Sequence, residues 1–451
     1  MLCLKKMTEK ISFICSHCSL ISLQWSGQCG HCGAWNSLTE TKIGKQRKRT
    51  KGQSANVVST LSNIPRSTLS RLPTNIGELD RVLGGGVVPG SVILLGGDPG
   101  IGKSTLALQW VASQFREMRS LYVSGEESLQ QLALRAERLG VNKLSIDAVS
   151  QNDIGTIVDL LPDYEFVVID SIQSLHCQNI SSQAGSVAQV REAAERLTRC
   201  AKDYGCSILF IGHVTKEGSL AGPKILEHMV DTVLYFEGDD ASRFRIVRSF
   251  KNRFGGVNEI GVFVMTEEGL REINNPSSLF LSGRQKNASG SVVLVTQQGT
   301  RPLLVEVQAL LDKTSLGNPR RLCVGLDPQR LVLLLAVLQR HGGVPLSGYD
   351  IFVNVAGGIR VIESGSDVAV GAAILSSLLD KSFPTDTACF GEVGLAGEIR
   401  PVQRAQDRLH ELGKLGFKRV LIPKANDVSD KISGLEVIQL KRIEDLVSWL
   451  S

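Results

Sequence analysis

The sequence contains no hydrophobic run long enough to cross a membrane. Its longest uninterrupted apolar run is 331–338, far short of the ~20 residues that a membrane-spanning helix needs. The first ten residues, MLCLKKMTEK, carry lysines with no apolar stretch behind them, so they do not predict a secretory signal. Met1 and Met7 both stay open as the starting residue. We therefore expect no membrane contact and a cytoplasmic location.

Aromatic residues are also scarce, at 5% of the chain, which does not favour base stacking on many aromatic side chains. The net charge is only +5, so the composition permits a polyanionic partner without requiring one. A hydrophobic fraction of 42% and a charged fraction of 21% exclude collagen-like and wholly disordered chains. At ~150 residues per domain, a chain of 451 residues predicts about three domains.

Cysteine is unevenly distributed: four of the ten cysteines lie near the N-terminus, and they are Cys15, Cys18, Cys29 and Cys32. Two Cys-x2-Cys knuckles can bring four thiolates to one tetrahedral ion, and Zn²⁺ accepts such a shell. His17 and His31 lie inside the knuckles and are alternative ligands. Because four thiolates leave no open coordination position, we predict a structural Zn²⁺ in a C4 zinc finger over 11–36. So short a block has a small core, and metal binding would supply its folding free energy.

The next segment, 37–60, is predicted to be a basic linker. It includes KIGKQRKRTK (42–51), which has almost no apolar content. Charge runs of this kind are usually solvated. Contact with nucleic acid is the alternative interpretation.

From 61 to 285, short apolar runs alternate with helix-compatible segments. The runs are SVILLGG (91–97), LYVSG (121–125), FVVID (166–170) and SILFIGH (207–213). Apolar strands separated by helices predict parallel crossover units, in an α/β fold with helices on both faces of the sheet. Two later β-rich runs, 232–238 and 243–250, predict further antiparallel strands.

A glycine-rich loop follows the first of these runs and matches G-x4-G-K-S. Its predicted nucleotide-binding residues are Gly97, Asp98, Pro99, Gly100, Ile101, Gly102, Lys103, Ser104 and Thr105. Backbone N–H groups in such a loop wrap phosphates, and the following helix N-terminus adds a favourable field. Lys103 is predicted to bind the β and γ phosphates of ATP, Ser104 to bind Mg²⁺, and Thr105 to support the α phosphate.

Carboxylates follow two of the predicted strands. Asp170 ends FVVID, beside the loop, and is predicted to hold Mg²⁺ through water. Glu126 and Glu127 follow LYVSG, and we favour Glu126 as the group that polarises the attacking water. The alternative is that both stabilise a helix N-terminus. His213 ends SILFIGH, where it either senses the γ phosphate or is simply buried.

The order of these motifs resembles that of the bacterial RadA/Sms family of DNA-repair proteins across essentially the whole chain. The strings that carry the resemblance are the cysteine knuckles, GGDPGIGKSTL, VSGEES, FVVIDSIQS, GHVTKEG, AGPKILEH and KNRFGG. The resemblance implies a RecA-like P-loop ATPase core and a DNA-dependent ATPase in recombinational repair and the stress response to DNA damage. It also implies a ring-shaped homo-hexamer that acts on single-stranded and branched DNA, with a recombinase partner.

The resemblance further assigns roles within KNRFG (251–255). Lys251 and Arg253 are implied to reach the phosphates of a neighbouring protomer, as an arginine finger does. The alternative is a basic hairpin end that meets solvent or DNA. Lys216, in the glycine-rich loop 213–223, is implied to face a central DNA channel.

The C-terminal segment, 286–451, resembles the proteolytic domain of Lon proteases through DIFVNVAGGIRVIESGSDVAVGAAILSSLL and GEVGLAGEIRPV. Such hydrolysis uses a Ser–Lys dyad. Ser366 lies near the serine position, but the lysine position holds Gln406, so we expect a scaffold without peptidase activity. Its candidate DNA contacts are Arg320, Arg321, Arg330, Arg360 and Arg400.

Three other functional classes stay open at this point. They are an ATP-dependent protease, a RecA-like signalling ATPase or kinase of the circadian-clock type, and a non-enzymatic repair adaptor that recruits another helicase. Casein degradation with ATP would support the protease, autophosphorylation on Ser or Thr the kinase, and a repair effect that survives Lys103→Ala the adaptor.

Overall fold

The computed structural model describes residues 11–15, 21–22, 25–29, 32–35, 37–42, 70–114, 118–144, 146–213, 222–238, 243–285, 287–314 and 317–451. The chain divides into two compact units, 1–68 and 69–451. Across these described ranges, every helix is too short or too polar to span a membrane.

The first unit contains a three-stranded antiparallel sheet in the order β2-β1-β3. Its strands are β1 (Ile11–Cys15), β2 (Ile21–Ser22) and β3 (Leu38–Lys42). β3 pairs with β1 along its whole length, from Ile11 opposite Lys42 to Cys15 opposite Leu38. β3 falls in the segment predicted to be a linker, so the pairing extends the N-terminal module to Lys42.

The second unit begins with a nine-stranded sheet in the order β12-β11-β10-β9-β4-β8-β7-β5-β6. The strands are β4 (Val92–Gly97), β5 (Ser120–Ser124), β6 (Asp147–Ser150), β7 (Phe166–Asp170), β8 (Ser207–His213), β9 (Thr232–Glu237), β10 (Phe244–Asn252), β11 (Ile260–Thr266) and β12 (Gly269–Glu272). The six strands from β9 to β6 in this order are parallel, and β10, β11 and β12 are added antiparallel. The predicted parallel core with an antiparallel extension is confirmed.

Helices cover both faces of this sheet. They are α1 (Gly77–Leu83), α2 (Lys103–Gln114), α3 (Leu129–Arg138), α4 (Ile154–Leu160), α5 (Val187–Tyr204) and α6 (Gly222–Met229). A short helix, α7 (Pro276–Phe280), follows β12 and packs against the sheet of the C-terminal part. Alternate residues of β4 point to opposite faces: Ile93 packs in one apolar cluster with Trp110 of α2, and Leu94 in another with Leu197 of α5. β4 is therefore buried along its whole length, which explains its uninterrupted apolar sequence.

The rest of the second unit contains a seven-stranded mixed sheet in the order β15-β16-β14-β13-β17-β20-β21. The strands are β13 (Ser291–Gln298), β14 (Arg301–Lys313), β15 (Arg321–Val324), β16 (Tyr349–Val355), β17 (Thr387–Cys389), β20 (Arg419–Pro423) and β21 (Glu436–Leu440). A short hairpin of β18 (Glu392–Val393) and β19 (Ile399–Arg400) lies apart from it.

Four further helices pack with this second sheet: α8 (Pro328–Arg340), α9 (Asp367–Leu379), α10 (Ala405–Lys414) and α11 (Ile443–Leu450). α8 contains the apolar run 331–338, and its buried residues are Leu331, Leu334, Leu335, Val337 and Leu338. Its N-cap is Asp327, whose carboxylate accepts from the backbone N–H groups of Gln329 and Arg330. α9 is buried over its first ten residues, because small side chains such as Ala372 let it lie close to β13 and β14.

Candidate nucleotide site

The phosphate-binding loop connects β4 to α2, and glycine permits its geometry. Gly97 has φ +154°, and a Cβ there would lie 2.6 Å from the carbonyl oxygen of Phe236. Gly102 has φ +114°, and a Cβ there would lie 2.7 Å from Met265. The chain can therefore turn directly into α2, whose first residues carry N–H groups that favour an anion.

Lys103 lies over this loop and is only 4% exposed. Its Nζ donates to the carbonyl oxygens of Gly97 and Asp98, both at 2.8 Å, and lies 3.3 Å from Nδ1 of His213. Burial lowers the pKa of Lys103, and the nearby carboxylates, Asp170 first among them, act in the opposite direction. A buried ammonium among carbonyl dipoles gains from an anionic ligand.

An open cleft of ≈ 320 Å³ surrounds the loop. Its lining residues are Gly100, Gly102, Lys103, Ser104, Thr105, Ser124, Glu126, Glu127, Arg135, Arg138, Asp170 and His213. The cleft lies at the carboxyl edge of the parallel strands, where ligands of open α/β sheets bind. The structure thus brings together most of the residues that the sequence predicts for the nucleotide.

Asp170 ends β7 and faces this cleft. The hydroxyl of Tyr122, in β5, donates to Oδ2 of Asp170 at 2.5 Å. Tyr122 is buried, and burial together with the Asp170 charge raises the pKa of its phenol well above the ordinary value. Tyr122 therefore stays protonated and keeps donating. The sequence gives no signal for this contact, because Tyr122 looks like one more residue of an apolar strand.

The carboxylates of Glu126 and Glu127 have different partners in the structure. Glu126 accepts from the hydroxyl of Ser171, and its Oε1 lies 3.8 Å from Nε2 of His213. Glu127 instead accepts from the Arg135 guanidinium at 2.5 Å. The carboxylate of Glu127 is thus engaged by α3, and Glu126 lies among the groups next to Lys103.

Hard oxygen donors at this edge fit Mg²⁺. Ser104, half-buried in the first turn of α2, and Asp170 line the same cleft. Hydroxyl and carboxylate oxygens are the ligands that Mg²⁺ takes beside nucleotide phosphates. These two residues would hold the ion.

Lys251 and Arg253 lie at the opposite end of the sheet. Nζ of Lys251 donates to the carbonyl oxygens of Glu227, at 2.6 Å, and Val230, at 2.8 Å. Nη1 of Arg253 lies 3.4 Å from Oδ1 of Asp231, and the Arg253 side chain is 54% exposed.

The contacts of Asp231 show at which end of the sheet Lys251 and Arg253 lie. Its Oδ2 accepts from the backbone N–H of Val92, the first residue of β4, whereas the phosphate loop follows the last residue, Gly97. Strands rise ~3.3 Å per residue, so the length of β4 separates this end from the loop. Within one chain, the structure does not bring Lys251 and Arg253 to the cleft.

Part of the predicted zinc site falls within the described residues. Cys29 is buried and Cys32 exposed. Gly33, at φ +71°, donates its N–H to the carbonyl oxygen of Cys29 at 2.9 Å, which makes the tight turn of a knuckle. Cys15 ends β1. Cys18 lies outside the described residues, and so does Lys216 of the predicted DNA loop.

The C-terminal arginines differ in exposure. Arg320 and Arg360 are exposed and Arg321 is half-buried, whereas Arg400 pairs with Glu398 at 2.6 Å.

Arg330 is not the open surface contact that the sequence suggested. Its Nε donates to Oδ1 of Asp367 at 3.0 Å, and its Nη2 donates to Oδ2 of the same carboxylate. Because Asp367 is 2% exposed, Arg330 neutralises a buried charge and joins α8 to α9.

The predicted dyad positions are also engaged. The hydroxyl of Ser366 donates to the carbonyl oxygen of Glu363 at 3.0 Å, and Ser366 is 3% exposed. The amide of Gln406 donates to the carbonyl oxygen of Asp430 at 3.1 Å. Arg408, which the sequence did not single out, is buried and pairs with Glu363 at 2.5 Å.

Three family models match this chain. The model described as an AAA domain matches 59–219, the rubredoxin metal binding domain matches 13–40, and subunit ChlI of Mg-chelatase matches 335–426. Together with the two sheets described above, they confirm the predicted fold class, including the N-terminal zinc module. They also support ATP and Zn²⁺ as ligands of the chain.

Known proteins resemble the chain over nearly its full length. The DNA repair protein RadA of Pseudomonas aeruginosa is 50% identical over 443 residues, which cover 97% of this chain and 98% of that protein. DNA repair protein RadA of Bacillus subtilis is 47% identical over 447 residues, covering 97% of each chain. Among solved structures, the RadB recombinase matches 46% of this chain and 100% of its own, with 21% identity and a TM-score of 0.35.

Proposed function

Because the chain belongs to the RadA family of DNA repair proteins, we propose that it is a DNA-dependent ATPase motor that binds single-stranded DNA and processes or branch-migrates recombination intermediates. Membership of this family and the AAA-type domain establish an ATP-hydrolysing protein of recombinational DNA repair. The ring, the single-stranded DNA and the strand movement belong to the proposal. The observation that carries it is the single cleft that joins Lys103, Glu126 and Asp170.

In the proposed mechanism, each group around the cleft acts on one part of ATP. Lys103 and the N–H groups of the loop bind the β and γ phosphates and stabilise charge that develops during cleavage. Mg²⁺, held by Ser104 and Asp170, neutralises phosphate charge when bound. Glu126 accepts a hydrogen bond from water, aims its oxygen at the γ phosphorus and receives its proton as the P–O bond to ADP breaks.

Arg253 is proposed to complete the site of the next copy in a homo-hexameric ring. The proposal is supported by its position: it lies at the far end of β4 from its own loop, and about half of its side chain is open to solvent. A guanidinium is permanently charged and planar, so it suits the equatorial oxygens of a transferring phosphoryl group. Lys251 is proposed to act beside it.

DNA is proposed to bind through its phosphates, on Lys216 and on exposed arginines such as Arg320 and Arg360. Counterion release would then make affinity fall steeply with salt. We expect binding of a fluorescent single strand to weaken at least tenfold between 50 and 200 mM NaCl. The proposal places the chain in the cytoplasm with the chromosome, in the response to DNA damage and beside a recombinase partner.

The test is ATP hydrolysis with and without single-stranded DNA, for the wild type, Lys103→Ala and Arg253→Ala. We expect DNA to stimulate the wild type and both variants to be nearly inactive. Arg271→Ala is the control, because Arg271 is an exposed arginine that pairs with Glu268, three residues before it. The proposal that the chain is an ATPase motor would be contradicted if the wild-type protein hydrolyses no ATP in the presence of DNA and magnesium.

Mixing the two inactive variants tests the shared site. In a mixed ring, the intact cleft of an Arg253→Ala chain can meet the intact Arg253 of a Lys103→Ala chain. We therefore expect the mixture to recover part of the ATPase activity that neither variant has alone. No recovery, in rings shown to have mixed by mass photometry of tagged chains, would place Arg253 outside the neighbour's site.

A further inference from the structure

β5 and β7 are neighbours in the sheet, and the carboxylates of Glu126 and Asp170 reach the cleft from their ends. Ser124 pairs with Asp170 in register, and the N–H of Gly125 donates to the carbonyl oxygen of Asp170 at 2.8 Å. A Cβ on Gly125 would lie 1.9 Å from the hydroxyl of Ser174. The turns that follow the two strands are therefore packed directly against each other.

Two buried hydroxyls donate hydrogen bonds between the β5 and β7 segments, one in each direction. Tyr122 of β5 donates to Oδ2 of Asp170, which ends β7. Ser171, directly after β7, donates to Oε1 of Glu126, which follows β5. Tyr122 is 1% exposed and Ser171 is fully buried. Each strand thus holds the carboxylate of the other, and water cannot readily replace either donor.

We propose that Tyr122 and Ser171 are positioning residues for the two carboxylates of the ATPase site. Tyr122 engages Oδ2 of Asp170 and would hold this carboxylate in place to serve Mg²⁺. Ser171 fixes Glu126 in the orientation that meets the attacking water. The inference rests on the proposed function for its chemistry, and outer partners of this kind orient metal ligands and general bases.

The test for Tyr122 is the magnesium dependence of nucleotide binding. For Tyr122→Phe, we expect the Mg²⁺ concentration that half-saturates binding of a fluorescent ADP to rise on the order of 10-fold. Binding without Mg²⁺ should stay unchanged, which would show that the cleft is intact. Tyr235→Phe is the matched control, because Tyr235 donates to the Glu227 carboxylate at 2.5 Å in the same sheet. Superimposable Mg²⁺ curves for the two variants would overturn the role of Tyr122.

The test for Ser171 separates turnover from binding. For Ser171→Ala, we expect kcat to fall on the order of 10-fold, with KM and the Kd for ATP unchanged. Ser174→Ala is the control, because its hydroxyl lies in the same turn but donates to a backbone carbonyl, that of Ser171. An unchanged kcat, or an equal loss of ATP binding, would overturn the role of Ser171.

These results are distinguishable from failure of the motor itself. A wild-type protein without ATPase activity would contradict the proposed function. The ADP titration would still judge Tyr122, because it measures equilibrium binding and needs no turnover.

Discussion

Arg301 reaches across the junction of the two sheets and places its Nη1 2.9 Å and 2.8 Å from the two carboxylate oxygens of Glu78. Glu78 lies in α1 of the nucleotide-binding part, and Arg301 is the first residue of β14. Oε2 of Glu78 also accepts from the N–H of Val262, in β11, at 2.8 Å. One buried carboxylate thus joins three elements, and burial lowers the pKa of Arg301 while Glu78 opposes the shift.

Removing one partner of this ion pair should destabilise the chain strongly. For Arg301→Met, we expect the free energy of unfolding to fall by ~3–5 kcal/mol, because Glu78 is left charged and buried. Urea unfolding followed by tryptophan fluorescence measures this. The double variant Glu78→Met, Arg301→Met removes both charges. Its free energy of unfolding should fall by less than that of Arg301→Met alone. A double variant that is the least stable of the three would contradict the argument.

The turn between β13 and β14 fits against the nucleotide-binding part so closely that Gly299 has no room for a side chain. A Cβ there would lie 2.8 Å from both Cα and N of Glu259, and its φ is +58°. For Gly299→Ala we expect the free energy of unfolding to fall by about 1–3 kcal/mol, because the new Cβ would overlap backbone atoms. Gly283→Ala is the control, because nothing lies within 4 Å of its Cβ position. Equal stability of the two variants would show that the junction can shift.

The sequence predicted the parts of the site that follow from strand ends. The carboxyl ends of parallel strands meet at one edge, so the sequence predicts that Glu126, Asp170 and His213 lie beside the loop of Lys103, and all four residues line one cleft in the structure. Contacts between distant strand interiors leave no local pattern, so Tyr122 could not be found this way.

The C-terminal arginines show the same limit. A periodic sequence does not show which polar residue points inward, so it predicts Arg330 as a DNA contact at the surface, although Arg330 pairs with the buried Asp367. Arg408 was not singled out, although it is 1% exposed. Both are explained only by a partner far away in the sequence.

Lys251 and Arg253 should differ in how much they contribute to the stability of the chain. Because Lys251 binds the carbonyl oxygens of Glu227 and Val230 at the end of α6, Lys251→Met should lower the free energy of unfolding by ~1–3 kcal/mol as well as the ATPase rate. Arg253→Ala should lower the ATPase rate with a smaller change in stability, because the Arg253 side chain is 54% exposed and the buried carboxylate of Asp231 keeps its hydrogen bond from the N–H of Val92. Thermal unfolding of both variants gives the comparison. Lys251→Met with wild-type stability but no ATPase activity would restrict Lys251 to a role at phosphates.

Zinc content separates the two groups of cysteines. Cys29 and Cys32 lie in the turn that the N–H of Gly33 closes on the carbonyl oxygen of Cys29, and thiolates at this spacing bind Zn²⁺ cooperatively with folding. Cys206 lies in the core, where burial raises the pKa of its thiol to about 12 and so disfavours the thiolate that a metal needs. We therefore expect Cys29→Ser and Cys32→Ser to lose bound zinc, measured by atomic emission of purified protein. Cys206→Ser should keep the wild-type zinc content. Zinc lost from Cys206→Ser in a folded chain, or retained by both knuckle variants, would contradict the four-cysteine site.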